Sequence, residues 1–352
     1  MMKTAILVIG ILLVLASLAP LVRSDQWWIR FFDFPRLQLA IALAGLIVAA
    51  LILFSPASLS GAAFLLALAA TLAYQAWRVF PYTPLATPEV LLSRDCEPAS
   101  RVRLMIANVL MDNRRAEDFL ALVRGADPDL IFTVETDDWW DEQLAVLRES
   151  YPFGLARPLD NTYGLHLFSR LDLDSPEIRL LVEDDVPSVR TRVRLRSGQW
   201  IDFIGLHPRP PRPGQDTEQR DAEILIVGKE MKESNRPTIV AGDLNDVAGS
   251  HTTRLFRRTS GALDPRIGRG RFSTFHARYP VLRWPLDHVF HTDTFTLIEM
   301  RRLGYYGSDH FPVLIELCLE REAELVQEAP APEGNDREEA RDKIEEGKEA
   351  GG

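Results

Sequence analysis

Five apolar runs in this 352-residue chain end on side chains able to do chemistry. Asn108 follows "RVRLMIA", Glu135 follows "DLIFTV" and His207 follows "WIDFIGL". Asp243 and Asn245 close "TIVAGDLN", and Asp287 lies in "WPLDHVF". A sixth run, "GYYGSDHFPVLIEL", places Asp309 and His310 in a loop immediately before an apolar stretch. A strand there would be equally stable behind almost any polar loop, so folding alone does not ask for the pair. The set is rich in carboxylate and amide oxygens and contains neither a cysteine ligand nor an acyl-transfer serine. Such oxygens suit Mg²⁺ or Mn²⁺ rather than zinc. A divalent ion neutralises phosphate oxygens, a carboxylate aligns water, and an imidazole kept charged by an Asp stabilises developing negative charge. Together these groups fit metal-assisted hydrolysis of a phosphate ester.

The elements that must position them alternate between β and α patterns. The runs above read as strands, joined by further strands in "YGLHLFSR" and "SVRTRVRL". "RRAEDFLALVRGA", "WWDEQLAVLRESY" and "DAEILIVGKEMKES" carry helical spacing. Strands alternating with helices, with hairpins among them, predict an α/β fold of mixed sheets covered by helices. Ligand sites in such folds lie beyond strand ends, so convergence of those ends would gather the six positions in one cleft.

The ordered set "ANV", "VE", "LFSR", "GLH", "AGDLN", "LDHVF" and "GSDHFPV" resembles the endonuclease/exonuclease/phosphatase superfamily over about 220 residues, from Arg101 to Glu320. "GDLN", "LDHVF" and "SDHFPV" are its most specific parts. With "SDQWWIRFFDFPRLQ" and "VFPYTPL", the whole chain looks like a bacterial membrane-anchored branch of that superfamily. The resemblance implies a four-layer α/β/β/α sandwich with two mixed sheets. It implies Glu135 as principal metal ligand, with Asn108 and Asp309 close to the metal. It also implies that Asp243 orients the attacking water, Asn245 holds a phosphate oxygen, and His207 assists phosphate or leaving group. His310, held by Asp287, would contact the scissile phosphate. Many nucleases of the superfamily place an acidic residue two positions after the first Asn; here that position is Leu110, with Asp112 nearby. His166 reads as a strand residue.

The domain division expected is a membrane anchor at 1–80, a Pro-punctuated linker at 81–100, the catalytic-type domain at 101–320 and an acidic tail at 321–352. Thr4–Val22 and Leu37–Trp77 contain no Asp, Glu, Lys or Arg, and "SPAS" interrupts the second stretch. A span needs about 20 apolar residues, which predicts three transmembrane helices at about 4–22, 36–55 and 59–78 preceding the sandwich. Ser17-Leu18-Ala19 is a small-x-small sequence, but Pro20 opposes cleavage and the downstream apolar block anchors the chain regardless. Trp27, Trp28, Phe31 and Phe32 suit a segment lying at the bilayer interface. The placement implied is a multi-pass membrane protein, of the bacterial inner membrane given the resemblance. Lys3 favours a cytoplasmic N-terminus and an extracytoplasmic domain, whereas Arg23, Arg30 and Arg36 favour the reverse.

The tail from Arg321 carries eleven acidic and five basic residues, more than half of the chain's net charge of -10, and its composition predicts disorder. Cys96 and Cys318 match no metal-site spacing and flank the domain; they are either two separate thiols or a disulfide formed in an oxidising compartment. For the substrate, the loop from Asp264 to Trp284 offers Arg266, Arg269, Arg271, Arg278 and Arg283 among aromatics, a phosphate-binding strip for nucleic acid or a solvated basic loop. The anchor instead favours a phospholipid or phosphoinositide headgroup. The primary expectation is a phosphodiesterase; a non-catalytic membrane binding module on the same fold is the reading from another class.

Overall fold

Alternation along β1 (Arg101–Asn108) decides the layering: Leu104 and Ile106 face the space between two sheets, while Met105 and Ala107 face helices. The computed structural model describes residues 1–351. One sheet runs β10 (Phe295–Arg302), β11 (Val313–Leu319), β1, β2 (Leu130–Val134), β4 (Leu165–Ser169), β3 (Phe153–Arg157). The other runs β5 (Leu173–Leu180), β6 (Pro187–Arg194), β7 (Trp200–Leu206), β8 (Thr238–Asp243), β9 (Asp287–His291). Each is mixed, because β1–β2 and β7–β8 are parallel and the remaining pairs antiparallel. Between them Phe132, Phe203, Val289 and Ile315 form a dry core.

The two parallel pairs need crossovers, and those crossovers supply the outer layers. Helix α5 (Ala116–Ala126) links β1 to β2 and, with α6 (Asp138–Leu144), packs Phe119 and Trp140 on the first sheet. Helix α7 (Glu218–Ser234) links β7 to β8 and, with α8 (His251–Ser260), packs Leu225 and Phe256 on the second. Local signals start these helices: Asp137 accepts from the Trp140 N–H at 2.9 Å and Ser250 from the Thr253 N–H at 3.0 Å. The expected α/β/β/α sandwich is what forms. Helix α8 offers only Leu255 and Phe256 as apolar residues, and edge strands β3, β5 and β10 carry too little apolar periodicity to be read from the sequence. Their outer faces meet solvent, and β5 contains Pro176, a residue suited to sheet edges.

Three apolar helices precede the sandwich, each long enough to cross a membrane: α1 (Met2–Leu18), α3 (Arg36–Leu53) and α4 (Leu59–Val79). The short α2 (Trp27–Arg30) lies in the loop after α1 and docks on the sandwich: the Trp27 N–H donates to Asp216 at 3.0 Å, and Arg30 to Thr252 at 3.2 Å. Arg30 and Arg36 also pair with Asp33, and Arg23 with Glu339 at 3.6 Å. The loop arginines thus have structural partners that account for them whichever side they occupy.

The tail departs from the expected disorder. Asp336–Gly351 forms α9, which packs along α7 and α8. Composition treats the tail as folding alone, but it orders on a preformed surface. Arg258 binds Asp336 through two bonds at 2.6 and 2.8 Å, and His251 and Lys343 pair with Glu339 and Asp25. Gly347 permits the close approach, since a Cβ there would stand 2.3 Å from that of Ala222.

Cys96 and Cys318 are joined as a disulfide, Cα atoms 6.0 Å apart, closing a separation of 222 residues around the sandwich. Of the two alternatives, the pair is the one that forms. A cross-link of that span restricts the unfolded chain. Replacing both cysteines by serine should lower stability by roughly 3–5 kcal/mol, read as a lower thermal midpoint of the detergent-solubilised protein than that of the oxidised parent.

Candidate active site

Topology brings the six strand-end positions together. Parallel β1 and β2 deliver Asn108 and Glu135 to one end of the first sheet; parallel β7 and β8 deliver His207 and Asp243 to the same end of the second. Antiparallel neighbours start where these finish. Asp287, first residue of β9, pairs in register with Asp243, and His310 lies just before β11, whose Val313 pairs with Ile106. The backbone is shaped for this purpose. Gly242 has φ +144°, and a Cβ there would lie 1.9 Å from the Leu206 carbonyl oxygen. Glu135 (φ 61°) and Asn245 (φ 49°) adopt the left-handed region, uncommon outside glycine and concentrated at functional sites.

At the centre His310 Nδ1 lies 2.8 Å from Asp287 Oδ2, and its Nε2 lies 3.5 Å from Asp243 Oδ2. Asp243 Oδ1 accepts the Asn245 N–H at 2.9 Å; Oδ2 accepts from Asn108 Nδ2 at 3.1 Å and lies 3.9 Å from His207 Nε2. Asn108 Nδ2 also donates to Glu135 Oε1 at 2.7 Å, while its Oδ1 accepts the Leu110 N–H at 3.0 Å. Asn108 therefore bridges the two carboxylates. Ser308 Oγ accepts the His310 N–H at 2.9 Å and donates to the Asn108 carbonyl at 2.7 Å. Ser308 stands one residue before the Asp-His pair, a position that sequence reasoning passed over. His166 is a buried strand residue, bonded to Thr136 and Asp141 away from this cluster.

Charge states separate the two imidazoles. Burial alone would lower His310, but Asp287, Asp243 and the Nδ1 hydrogen bond outweigh it and raise the pKa to about 10. Burial and the nearby His310 cation bring His207 down to about 3, so it is neutral, and its Nδ1 has no partner among the described residues. Burial opposes ionisation of Asp287, yet the His310 cation holds it below the usual carboxylate range. Burial raises Asp243 to about 7, with Asp287 adding and His310 opposing.

Asp243, Asp287 and His310 present ligand-type atoms within 4.8 Å of one another. They are a poor metal site, because a cationic imidazole has no lone pair to offer. Oxygens open to a cation lie elsewhere in the cleft. Asp309 Oδ1 is buried without a partner among the described residues; Glu135 accepts from Asn108 and the Met111 N–H, yet burial still pushes its carboxyl up. A bare buried oxygen beside a desolvated carboxyl fits a hard divalent cation.

The cleft has a volume of about 360 Å³. Besides Glu135, His207, Asp243, Asn245, Asp309 and His310, it is lined by Tyr163, Phe275 and Trp284, and by Trp27, Phe31 and Phe34 of the anchor. That last wall was not legible as part of the site: sequence marks Trp27 and Phe31 as interfacial, and only the docked fold carries them and Phe34 there. Most of the arginine-rich loop is not a free basic strip either: Arg269 donates to the Pro265 and Val90 carbonyls, and Arg271 alone has no hydrogen-bond or ion-pair partner among the described residues. Arg266 is fully buried against Asp264 at 2.8 Å, Arg283 donates to the His276 and Ala277 carbonyls, and Arg278 to the Gly307 carbonyl. Those guanidiniums bind the loop's own backbone and neighbours.

A mixed-sheet sandwich with carboxylates and imidazoles between its strand ends defines a class of phosphoester hydrolases. Residues 105–310, more than half of the chain, match the model of the Endonuclease/Exonuclease/phosphatase family, and the chain belongs to that family. Several solved structures share the fold at low identity. D. rerio TDP2, complexed with single strand DNA product, is 19% identical and covers 62% of this chain and 99% of its own, with TM-score 0.53. The Bacteroides vulgatus endonuclease/exonuclease/phosphatase is 20% identical over 62% and 99%, with TM-score 0.52. The human Nocturnin catalytic domain with bound sulfate is 17% identical over 62% and 94%, with TM-score 0.51. A Vibrio campbellii UPF0294 protein is 25% identical over 129 residues, 37% of this chain; the chain spans 44% of that curated relative's length.

Removing the charge of Asp287 should release His310. In Asp287→Asn the largest raising contribution goes while burial and the smaller pull of Asp243 remain, so the imidazole should titrate below about 10. NMR of histidine-labelled protein across the alkaline range reads this directly; an unmoved His310 titration would refute the pairing as its cause.

Proposed function

We propose that this protein is a membrane-held phosphodiester hydrolase using Mg²⁺, with Mn²⁺ able to replace it. The observation carrying this reading is the cationic His310, fixed by Asp287 at 2.8 Å and standing 3.5 Å from Asp243. Glu135 and Asp309 would hold the divalent cation, and Asn108 orients Glu135 towards it. When bound, that cation would neutralise phosphate oxygens and polarise the phosphorus. His310 donates from Nε2 to a phosphate oxygen and stabilises the charge that builds there. Asp243 orients the attacking water through the Oδ2 that faces His310 and accepts its proton. Asn245 gives one amide N–H to the Pro208 carbonyl at 3.0 Å and keeps the other for a phosphate oxygen. Neutral His207 lies beside Asp243 on the side of Tyr163, where it assists the departing oxygen.

Three spans carry the soluble domain to the face opposite the N-terminus. That path supports the proposal geometrically: the loop after α1 and the chain after α4 emerge on one side, and these are the parts that touch. The Cys96–Cys318 bond supports an oxidising side, hence an extracytoplasmic domain at a bacterial inner membrane.

Two measurements test these readings. Asp243→Ala and His310→Ala should each lower Mg²⁺-dependent turnover of bis(p-nitrophenyl) phosphate by about 10²–10³-fold. EDTA should abolish turnover in the parent, with recovery on adding Mg²⁺. Wild-type rates in both variants would sink the site assignment. For orientation, a reporter that is active only outside the cytoplasm, fused at the C-terminus, should be active; a cytoplasmic signal would reverse the topology.

A further inference from the structure

The cleft's aromatic wall belongs to the membrane anchor. Trp27, Phe31 and Phe34 face Phe275, Trp284 and Leu286 across it, and the Phe34 and Trp284 rings meet edge to face at 5.9 Å. A site for a small water-soluble ester does not need a wall supplied by the segment between two spans.

The level of the mouth follows from one hydrogen bond. Gln38, third residue of α3, donates to the Val281 carbonyl at 2.7 Å, and the helix is uncharged beyond that point. Val281 is therefore level with the first turn of a candidate span, where headgroups give way to hydrocarbon. The side chains around it are apolar and uncovered: Val281 is 76% exposed, Leu282 51% and Tyr279 57%. On the anchor side Trp28 and Phe31 are half exposed. This apolar rim, which ends two residues along the chain from the cleft-lining Trp284, is costly in water and stable against lipid. Nucleic acid could stack on such aromatics, but it also needs free cations along its backbone. Of the five loop arginines, Arg266, Arg269, Arg278 and Arg283 are engaged by Asp264 or backbone carbonyls, which leaves Arg271 alone without such a partner among the described residues, too few for a backbone track.

We propose that the substrate is an amphiphilic phosphodiester of the bilayer, drawn in so that its phosphate reaches His310 while its chain lies along the aromatic wall that the anchor residues form with Phe275 and Trp284. The chemistry rests on the hydrolase reading above. Water adds at phosphorus, one phosphorus–oxygen ester bond breaks, and the departing alkoxide takes a proton, leaving a phosphomonoester and an alcohol. The anchor is then part of the substrate site, beyond tethering the domain.

The test uses the full chain in phosphatidylcholine nanodiscs containing phosphatidylglycerol with a photoactivatable diazirine in its acyl chain. Illumination should label residues 27–34 and 275–284, both in the parent and in Asp243→Ala. Val281→Asp and Leu282→Asp, outside the cleft lining, should lower phosphatidylglycerol turnover at least about tenfold, equivalent to ~1.4 kcal/mol. Their turnover of bis(p-nitrophenyl) phosphate should be unchanged. Label confined to the lipid-facing sides of the three spans would overturn the proposal. So would faster cleavage of single-stranded DNA than of the lipid. Label in the cleft without turnover of any phosphoester would uphold lipid entry and overturn the hydrolase reading instead, which separates the two.

Discussion

The buried pair between Asp287 and His310 is the interaction on which the site depends. Asp287 opens β9 in one sheet and His310 precedes β11 in the other, so their 2.8 Å contact ties the two halves of the sandwich at the end where chemistry is expected. Taking such a pair out of water costs several kcal/mol per ion, and the attraction offsets this only when geometry is good and remaining polar atoms are satisfied. Here the backbone helps: Thr274 accepts the Asp287 N–H and Ser308 accepts that of His310. Asp287 Oδ1 is left without a partner among the described residues. The pair is better understood as holding an imidazolium in place than as a source of stability.

That imidazolium cannot balance its surroundings. Four carboxyl groups, Glu135, Asp243, Asp287 and Asp309, surround one cation, and burial drives Glu135 and Asp243 towards the neutral form. A cation bound by Glu135 and Asp309 would restore both to carboxylates. The same excess of negative charge would repel a phosphate from a cleft without that cation. Electrostatics would thus couple metal and substrate: a bound ion would make the site both basic enough to use water and positive enough to receive an anion.

Much of this was legible in the sequence because strand ends carry local signals. An apolar run stopping on Asn108, Glu135, His207 or Asp243 states both the strand and the polar end, and the family resemblance orders those ends. What was hidden depended on partners distant in sequence. Arg266 reads as a loop cation until Asp264 and the packed strand beneath bury it. The acidic tail reads as disordered until His251 and Arg258 meet its carboxylates and its own Lys343 meets Asp25. Edge strands such as β3, largely exposed, offer no one-sided periodicity to detect. Trp27 and Phe31 read as interfacial by composition, yet no local pattern says that they also wall the cleft.

The tail helix and the anchor loop meet the same part of the domain, and this makes the three one mechanical unit. Lys343 of α9 pairs with Asp25 of the anchor loop and lies 3.7 Å from Asp221 of α7. Asp221 also accepts from Thr252, which receives Arg30. Desolvation opposes the charge on Asp221, but Arg220, Lys343 and Arg30 outweigh it and hold the carboxyl low. Anchor, α7, α8 and tail are therefore joined by charges that would each be costly if left unpaired in a buried setting. A merely tethered domain would need only the covalent linker after α4. Additional ion pairs that fix the orientation of α2 keep Trp27 and Phe31 over the cleft, and this is the arrangement a site fed from the bilayer requires.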